Sequence, residues 1–213
     1  MRRACVLVVI FLFAVQGCDL SINRNLTVAD GKRRSEGAHS INGKIRVGQG
    51  CDIRGASRTI NGSIDIGPDS RVRSLQTING HVEIDANVHV RGDIQTINGR
   101  VHCGAGTRIE GDIETINGRL SLDSTSVRGG LQTCNGQVVL DHHSEIQKDI
   151  IVKGPKEHKR RHRPRQLDIR LSNGSRVMGD ILVKDPDRKV TVYLSSGAQV
   201  LGRVQNAQIV NEP

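Results

Sequence analysis

Apolar residues in this chain fall at fixed distances from a recurring asparagine. Asn23, Asn42, Asn61, Asn79, Asn98, Asn117 and Asn135 follow one another at steps of 18 or 19 residues. From Asn42 onward each is followed by glycine: Gly43, Gly62, Gly80, Gly99, Gly118 and Gly136. The residue before the asparagine is apolar in every copy (Ile97 and Ile116, for example). Three and five residues after it come further apolar slots, such as Val101 with Cys103 and Leu120 with Leu122. Two more fall ten or eleven and fourteen or fifteen residues on, as at Ile109 and Ile113. Six after the asparagine stand only Gly48, Gly67, Asp85, Gly104, Asp123 and Asp141. Alternation with period two predicts strands. Glycine or aspartate at one fixed slot predicts a turn with positive φ there.

Asn-Gly between apolar runs is also the strongest short signal for a two-residue hairpin. That geometry would pair Ile97 with Arg100 and set Ile97 on the face opposite Val101 and Cys103. A one-sided core cannot come from it. A corner that resets the parity instead lets the Ile and both following slots point inward. A unit of this length cannot bury its own apolar face, so the repeat predicts a solenoid. The fold class is therefore all-β: a single-stack parallel β-solenoid of about 18–19 residues per coil. Stacked coils would place each asparagine over the next at about 4.8 Å. The amides can then bond along the stack as a ladder, or the asparagine can simply tolerate a left-handed corner and face solvent. The following glycine would take a bend that a Cβ obstructs. Either role is structural.

The regular coils span residues 18–152. Beyond them TING is lost, yet "GSRVMGDI" (Gly174 to Ile181) and "GAQVLGRV" (Gly197 to Val204) match "GTRIEGDI" (Gly106 to Ile113). Residues 167–213 are thus expected to continue or cap the solenoid through irregular coils. Roughly nine coils would make a rod on the order of 40 Å long.

Composition and charge sharpen this picture at two places. The chain has no Trp and only Tyr193 as an aromatic beyond Phe13, so the core must be aliphatic. Residues 1–17 have the basic start and short apolar run of a signal peptide. "VQGC" (Val15 to Cys18) then resembles a bacterial lipobox, which makes Cys18 the lipidation site and the membrane the first partner. Asp19 hints at retention in the inner membrane, with the protein facing the periplasm. Of the net charge of +9, residues 1–17 carry +2. The basic insertion, 153–166, carries Lys153, Lys156, Lys159, Arg160, Arg161, Arg163 and Arg165 against one Glu. These seven are candidates for binding an anionic envelope polymer or lipid headgroups, on a segment without apolar periodicity. Nucleic acid is not expected as a partner, since no aromatic is available for base stacking.

No hydrolase or oxidoreductase motif is present, and no metal site or cofactor is expected. Asp123 and Asp141 share a turn slot, but two carboxylates make a poor calcium site. Cys51, Cys103 and Cys134 stand at different phases of the repeat and read as buried small apolar residues. His81, His89, His102, His142 and His143 read as surface residues. Hexapeptide-repeat acyltransferases are the remote enzymatic alternative, though steps of 19 fit poorly with turns of six.

Through SING, TING and TCNG, over about Ile22 to Val152, the chain resembles bacterial exported proteins built from T-[IV]-N-G coils. These are usually labelled adhesin-like or polymer-forming, and are distantly similar to bactofilins. The resemblance implies a non-enzymatic scaffold able to form a homo-oligomer or polymer. It departs from bactofilins in carrying a signal peptide. The sequence thus predicts a lipid-anchored structural scaffold or interaction surface in the cell envelope. The rival is a binding or adhesin module that uses the basic insertion.

Overall fold

The chain winds through three parallel sheets, touching each once per coil. The structure, a computed structural model, describes residues 20–154, 166–185 and 187–213. The first and second sheets have ten strands each and the third has nine. One coil illustrates all of them. Ile94–Asn98 lies in the first sheet, Val101–Cys103 in the second and Arg108–Ile109 in the third, before Ile113–Asn117 returns to the first. Register is kept residue for residue: Thr96 pairs with Thr115, Val101 with Leu120, and Ile109 with Val127. The fold is a β-solenoid of about nine turns with roughly 19 residues per coil. Among the described residues there is no helix.

The core follows from alternation within short strands. Inward slots hold Ile94, Val101, Cys103, Ile109 and Ile113, each no more than 1% exposed. Their equivalents in neighbouring coils stack above and below as one aliphatic column, with no large aromatic in it. At about 25 cal/mol per Å² of apolar surface removed from water, this column is the main stabilising term. The coils are interdependent for that reason, since each covers the next.

One inward slot corrects the sequence reading. Ile22, Ile41, Ile60, Ile78, Ile97, Ile116 and Cys134 do not point inward. Ile22 is 56% exposed and the other six are half-buried on the outer side of the first sheet. The hydroxyl residue before six of them faces the core instead: Ser40, Thr59, Thr77, Thr96, Thr115 and Thr133 are at most 4% exposed. Plain alternation from Ile94 through Thr96 puts Ile97 outside, so no reset of parity occurs before the corner. Threonine suits the narrow end of the sheet because its hydroxyl can reach the corner backbone below. Thr59 Oγ1 donates to the Gly43 carbonyl at 3.1 Å, and Thr77 Oγ1 to that of Gly62 at 3.1 Å.

The corner glycines are required by close approach between coils. A Cβ on Gly99 would lie 1.7 Å from the carbonyl oxygen of Gly80, and one on Gly118 the same distance from that of Gly99. No side chain fits there. The Gly/Asp slot six residues after the asparagine differs from expectation too. Positive φ falls one or two residues later, at Asp69 (58°), Asn87 (59°), Gly106 (75°) and Ser124 (43°). These second-corner turns close over buried hydroxyls that tie coils together. Ser144 Oγ donates to the Leu122 carbonyl at 3.1 Å and accepts from Thr125 N at 3.1 Å.

The third corner has a ladder of its own. Asp93 Oδ1 accepts from Asp112 N at 2.9 Å, Asp112 Oδ1 from Gly130 N at 2.8 Å, and Asp149 Oδ1 from Asp180 N at 2.8 Å. The Gly-Asp pairs in "EGDI" and "MGDI" are thus struts, each aspartate bonded to the backbone of the next coil. The stack continues unbroken into the C-terminal coils, where Ile150 pairs with Ile181 and Ile169 with Val192.

Candidate interaction surfaces

The Asn-Gly corner carries a one-way chain of side-chain amides. Asn42 Nδ2 donates to Asn23 Oδ1 at 2.7 Å, and Asn61, Asn79, Asn98 and Asn117 each donate to the asparagine below at 2.9 Å. Asn135 Nδ2 donates to Asn117 Oδ1 at 2.7 Å. A chain with this polarity leaves one carbonyl oxygen over at its top. Arg188 takes it: its guanidinium donates to Asn135 Oδ1 and to the Cys134 carbonyl. Arg188 comes from the Lys184–Lys189 insertion of a later coil, a partner that no local pattern announces. Beside the amides, Gln76 Nε2 donates to Gln95 Oε1 at 3.0 Å and Gln95 Nε2 reaches Glu114 Oε2 at 3.5 Å. Burial pushes the Glu114 carboxyl above the ordinary carboxylate range, with Lys153 opposing it. These groups spend their hydrogen bonds on the stack and offer no reactive atom.

The outer side of the third sheet is different. Each short strand there presents one residue before and one after its buried aliphatic. Across the six strands from Arg33 to Arg128 these positions hold Arg33, Ser35, Asp52, Arg54, Arg71, Arg73, His89, Arg91, Arg108, Glu110, Ser126 and Arg128, with Arg34 in place of the aliphatic in the first strand. Seven arginines face two carboxylates. Arg91 Nη2 lies 2.5 Å from Asp52 Oδ1 and Arg54 Nε 3.6 Å from Asp52 Oδ2. Glu110 is held by His89 Nε2 at 3.1 Å and Arg128 Nη1 at 2.5 Å. The hydrogen bond from Arg91 holds the Asp52 carboxyl below its usual range, and the one from His89, aided by Arg128, does the same for Glu110. Arg71, Arg73 and Arg108 form no ion pair among the described residues. A shallow groove of about 560 Å³ runs between this face and the second-corner turns, lined by Arg71, His89, Arg108, Arg128, Asn87 and Gln147 among others.

The remaining candidates resolve into structural contacts. His142 Nδ1 sits between Asp123 Oδ1 at 2.8 Å and Asp141 Oδ2 at 3.5 Å, so the shared carboxylate slot is bridged by a ring. Partial burial would raise the Asp141 carboxyl, but hydrogen bonds from Ser172 and Asn173 hold it below its usual range. Among the described residues no group of His, Cys, Asp and Glu could hold a metal ion. Cys51 and Cys103 are buried thiols, and burial pushes the Cys103 thiol far up. Cys134 is half-exposed in the outer isoleucine column, unlike the buried residue expected.

Of the sites named from sequence, Cys18 and six of the seven basic residues of the insertion lie outside the described residues; Lys153 lies within them. The described ends of the insertion are informative. Ile150–Val152 belongs to the first sheet and Leu167–Leu171 to the second, so the insertion leaves the stack where other coils carry Asn-Gly. That corner also carries exposed Arg100 and Arg119. The arginine face leaves no trace in net charge, because outside residues 1–17 and the basic insertion the chain sums close to neutral. Its signal is the flanking of each ten- or eleven-slot aliphatic, read as "RVR", "HVR", "RIE" and "SVR". Among the described residues no helix is long and apolar enough to cross a membrane. No family profile, curated protein or solved structure matches the chain.

Proposed function

We propose that this chain is a non-enzymatic, lipid-anchored β-solenoid that serves as a structural scaffold or interaction surface in the bacterial cell envelope and self-assembles. The observation that carries this reading is where the chain spends its polar groups. All three corners use them to tie one coil to the next: amides at the first, hydroxyls at the second, aspartates at the third. What remains outside is a set of long, regular faces suited to contact over an extended surface. The first strand begins at Leu20, two residues after Cys18, so acyl chains on that cysteine would hold the stack close against the bilayer. Self-assembly draws on the resemblance to polymer-forming T-[IV]-N-G proteins.

Labelled palmitate and cell fractionation test the anchor. The wild type takes up label and sediments with membranes, while Cys18→Ser does neither. A wild type that stays soluble and unlabelled overturns the anchored reading. A second reading, capture of an anionic envelope polymer or headgroups by the basic insertion, is favoured by where that insertion leaves the stack, at a corner already carrying Arg100 and Arg119. Deleting residues 155–165 separates the two. Loss of co-sedimentation with anionic liposomes, with assembly intact, selects capture, whereas concentration-dependent filaments that survive the deletion select the scaffold.

A further inference from the structure

We infer that the outer face of the third sheet is a binding track for a linear, carboxylate-bearing polysaccharide laid along the stack axis. The track does not depend on lipid anchoring or on the basic insertion, because it consists of described residues on another side of the molecule.

Charge is the first argument. Seven arginines face two carboxylates between Arg33 and Arg128, across six strands of one sheet. Five steps at the strand spacing make this stretch about 24 Å long. Like charges at such spacing repel one another, and nothing in the folding pattern requires arginine at exposed positions. The face then changes character: Met178 and Leu201, in the same slot as Arg128, are 43% and 56% exposed. The basic stretch is therefore bounded within the sheet.

The second argument is what the face already binds. Asp52 is gripped by Arg91 and Arg54, from two different coils, and Glu110 by His89 and Arg128, again from two coils. Guanidinium groups here are placed to receive carboxylates between rungs, each through a single nitrogen–oxygen contact. Between these two internal carboxylates lie Arg71, Arg73 and Arg108, which have no ion-pair partner among the described residues. Arg71 and Arg108 line the open groove, and Arg73 follows Val72 on the same rung as Arg71. A polymer whose carboxylates recur along its length would continue the pattern that Asp52 and Glu110 begin.

Shape and composition narrow the class. An open groove along a rod suits an extended chain better than a small anion, which would meet only one or two arginines. The face has no Phe, Tyr or Trp to serve as a stacking platform, so stacking on sugar rings is a minor contribution. Recognition must come from ion pairs at the surface, each modest and screened by salt. A single uronate unit would therefore bind weakly and a long polyuronate well, since its units act together.

Calorimetric titration of the full-length protein in non-ionic detergent tests this, with polygalacturonate as the probe. Polygalacturonate binds, more weakly as salt is raised, while galacturonate monomer and neutral dextran do not bind measurably. The Arg71→Gln/Arg108→Gln variant weakens binding about tenfold. Arg100→Gln/Arg119→Gln, which removes the same charge from the Asn-Gly corner, changes it less than about twofold. Deleting residues 155–165 also leaves most of it. If the double variant proves less stable, Arg73→Gln alone gives the same reading, with a smaller loss. Four results overturn the track: no binding of polygalacturonate, unchanged binding by the arginine variants, an equal loss from the corner pair, or abolition by the deletion. Tighter binding of single-stranded DNA than of polygalacturonate assigns the face to another polymer class and overturns it too.

Discussion

The coils up to Asn135 and those after Ile150 are built on the same stack with different corners. In the earlier coils the long strand lies in the first sheet, as in Leu75–Asn79 and Ile113–Asn117, and ends in the amide ladder. In the later ones the first-sheet strand shrinks to Ile181–Val183 and then Val204–Gln205. The second-sheet strand grows to five residues at Leu167–Leu171 and Val190–Leu194. The amide ladder ends at Asn135, both insertions enter at that corner, and Asn206 in the last coil bonds to the Val183 carbonyl instead. Yet Ile146 still pairs with Val177, and Ile150 with Ile181, in register. The difference teaches that the aliphatic column defines the coil, whereas the amide ladder decorates and stiffens one corner of it. Where the ladder ends, Arg188 closes it and Arg170 stacks over the Tyr193 ring at 4.1 Å, giving the later coils a polar outer contact of another kind.

The comparison is broken most severely in the column itself. Ile94→Ala, at a fully buried site, should cost about 2–5 kcal/mol in urea unfolding. Val204→Ala, in a half-buried position of the last coils, should cost much less. A smaller but sharper contrast uses glycine. Gly99→Ala must push a Cβ into the Gly80 carbonyl and should cost about 3 kcal/mol, whereas Gly197 has nothing within 4 Å of a Cβ. There the substitution meets only the strain of a φ of 78°, about 1 kcal/mol. Equal losses at the two glycines would mean that coil-to-coil approach is not what selects glycine at the corner.

The ladder comes next. Asn98→Ala removes one donated and one accepted bond and should cost about 1–2 kcal/mol, with faster amide exchange confined to that corner. Arg188→Ala should cost less and act locally, raising exchange near Cys134 and Asn135. The smallest effect is Glu114→Gln. Its carboxyl is raised in the folded state, so its stabilising contribution is complete below the unfolded pKa and is lost as pH rises through the folded value. The wild type should therefore lose a little stability across that acidic window. Glu114→Gln should remove that part of the pH dependence and leave the protein a few tenths of a kcal/mol more stable at neutral pH. A variant with an unchanged pH profile would count against burial of this carboxyl.

Much of the fold was legible because the repeat fixes it seven times over. The aliphatic slots at Val101, Cys103, Ile109 and Ile113 could be assigned inward from spacing alone, and a unit of 19 residues leaves few ways to cover them. Ile97 was misplaced because an apolar residue beside two buried slots looks buried, while Thr96, polar by composition, does not. Only the strand's end, set by the approach of Gly99 to Gly80, decides between them, and that contact is invisible in one coil read alone. The arginine face had a legible pattern that net charge concealed, since Arg71 and Arg108 are far apart in sequence and stand two rungs apart in space. Arg188 left no signal at all: its partner Asn135 is 53 residues away, across an insertion.

Pulsed electron paramagnetic resonance distances test the stack directly. Spin labels placed at Arg46 and, in turn, at Ser121, Val139, Arg170 and Tyr193 report along the outer side of the second sheet. From Ser121 on, successive sites are 18, 31 and 23 residues apart in sequence and one rung apart in the stack. The predicted distances rise by about 4.8 Å at each step, from about 19 Å to about 34 Å, whatever the number of intervening residues. Increments that scale with the 18, 31 and 23 intervening residues instead of staying equal, or that double because the strands alternate as antiparallel hairpins, would contradict it.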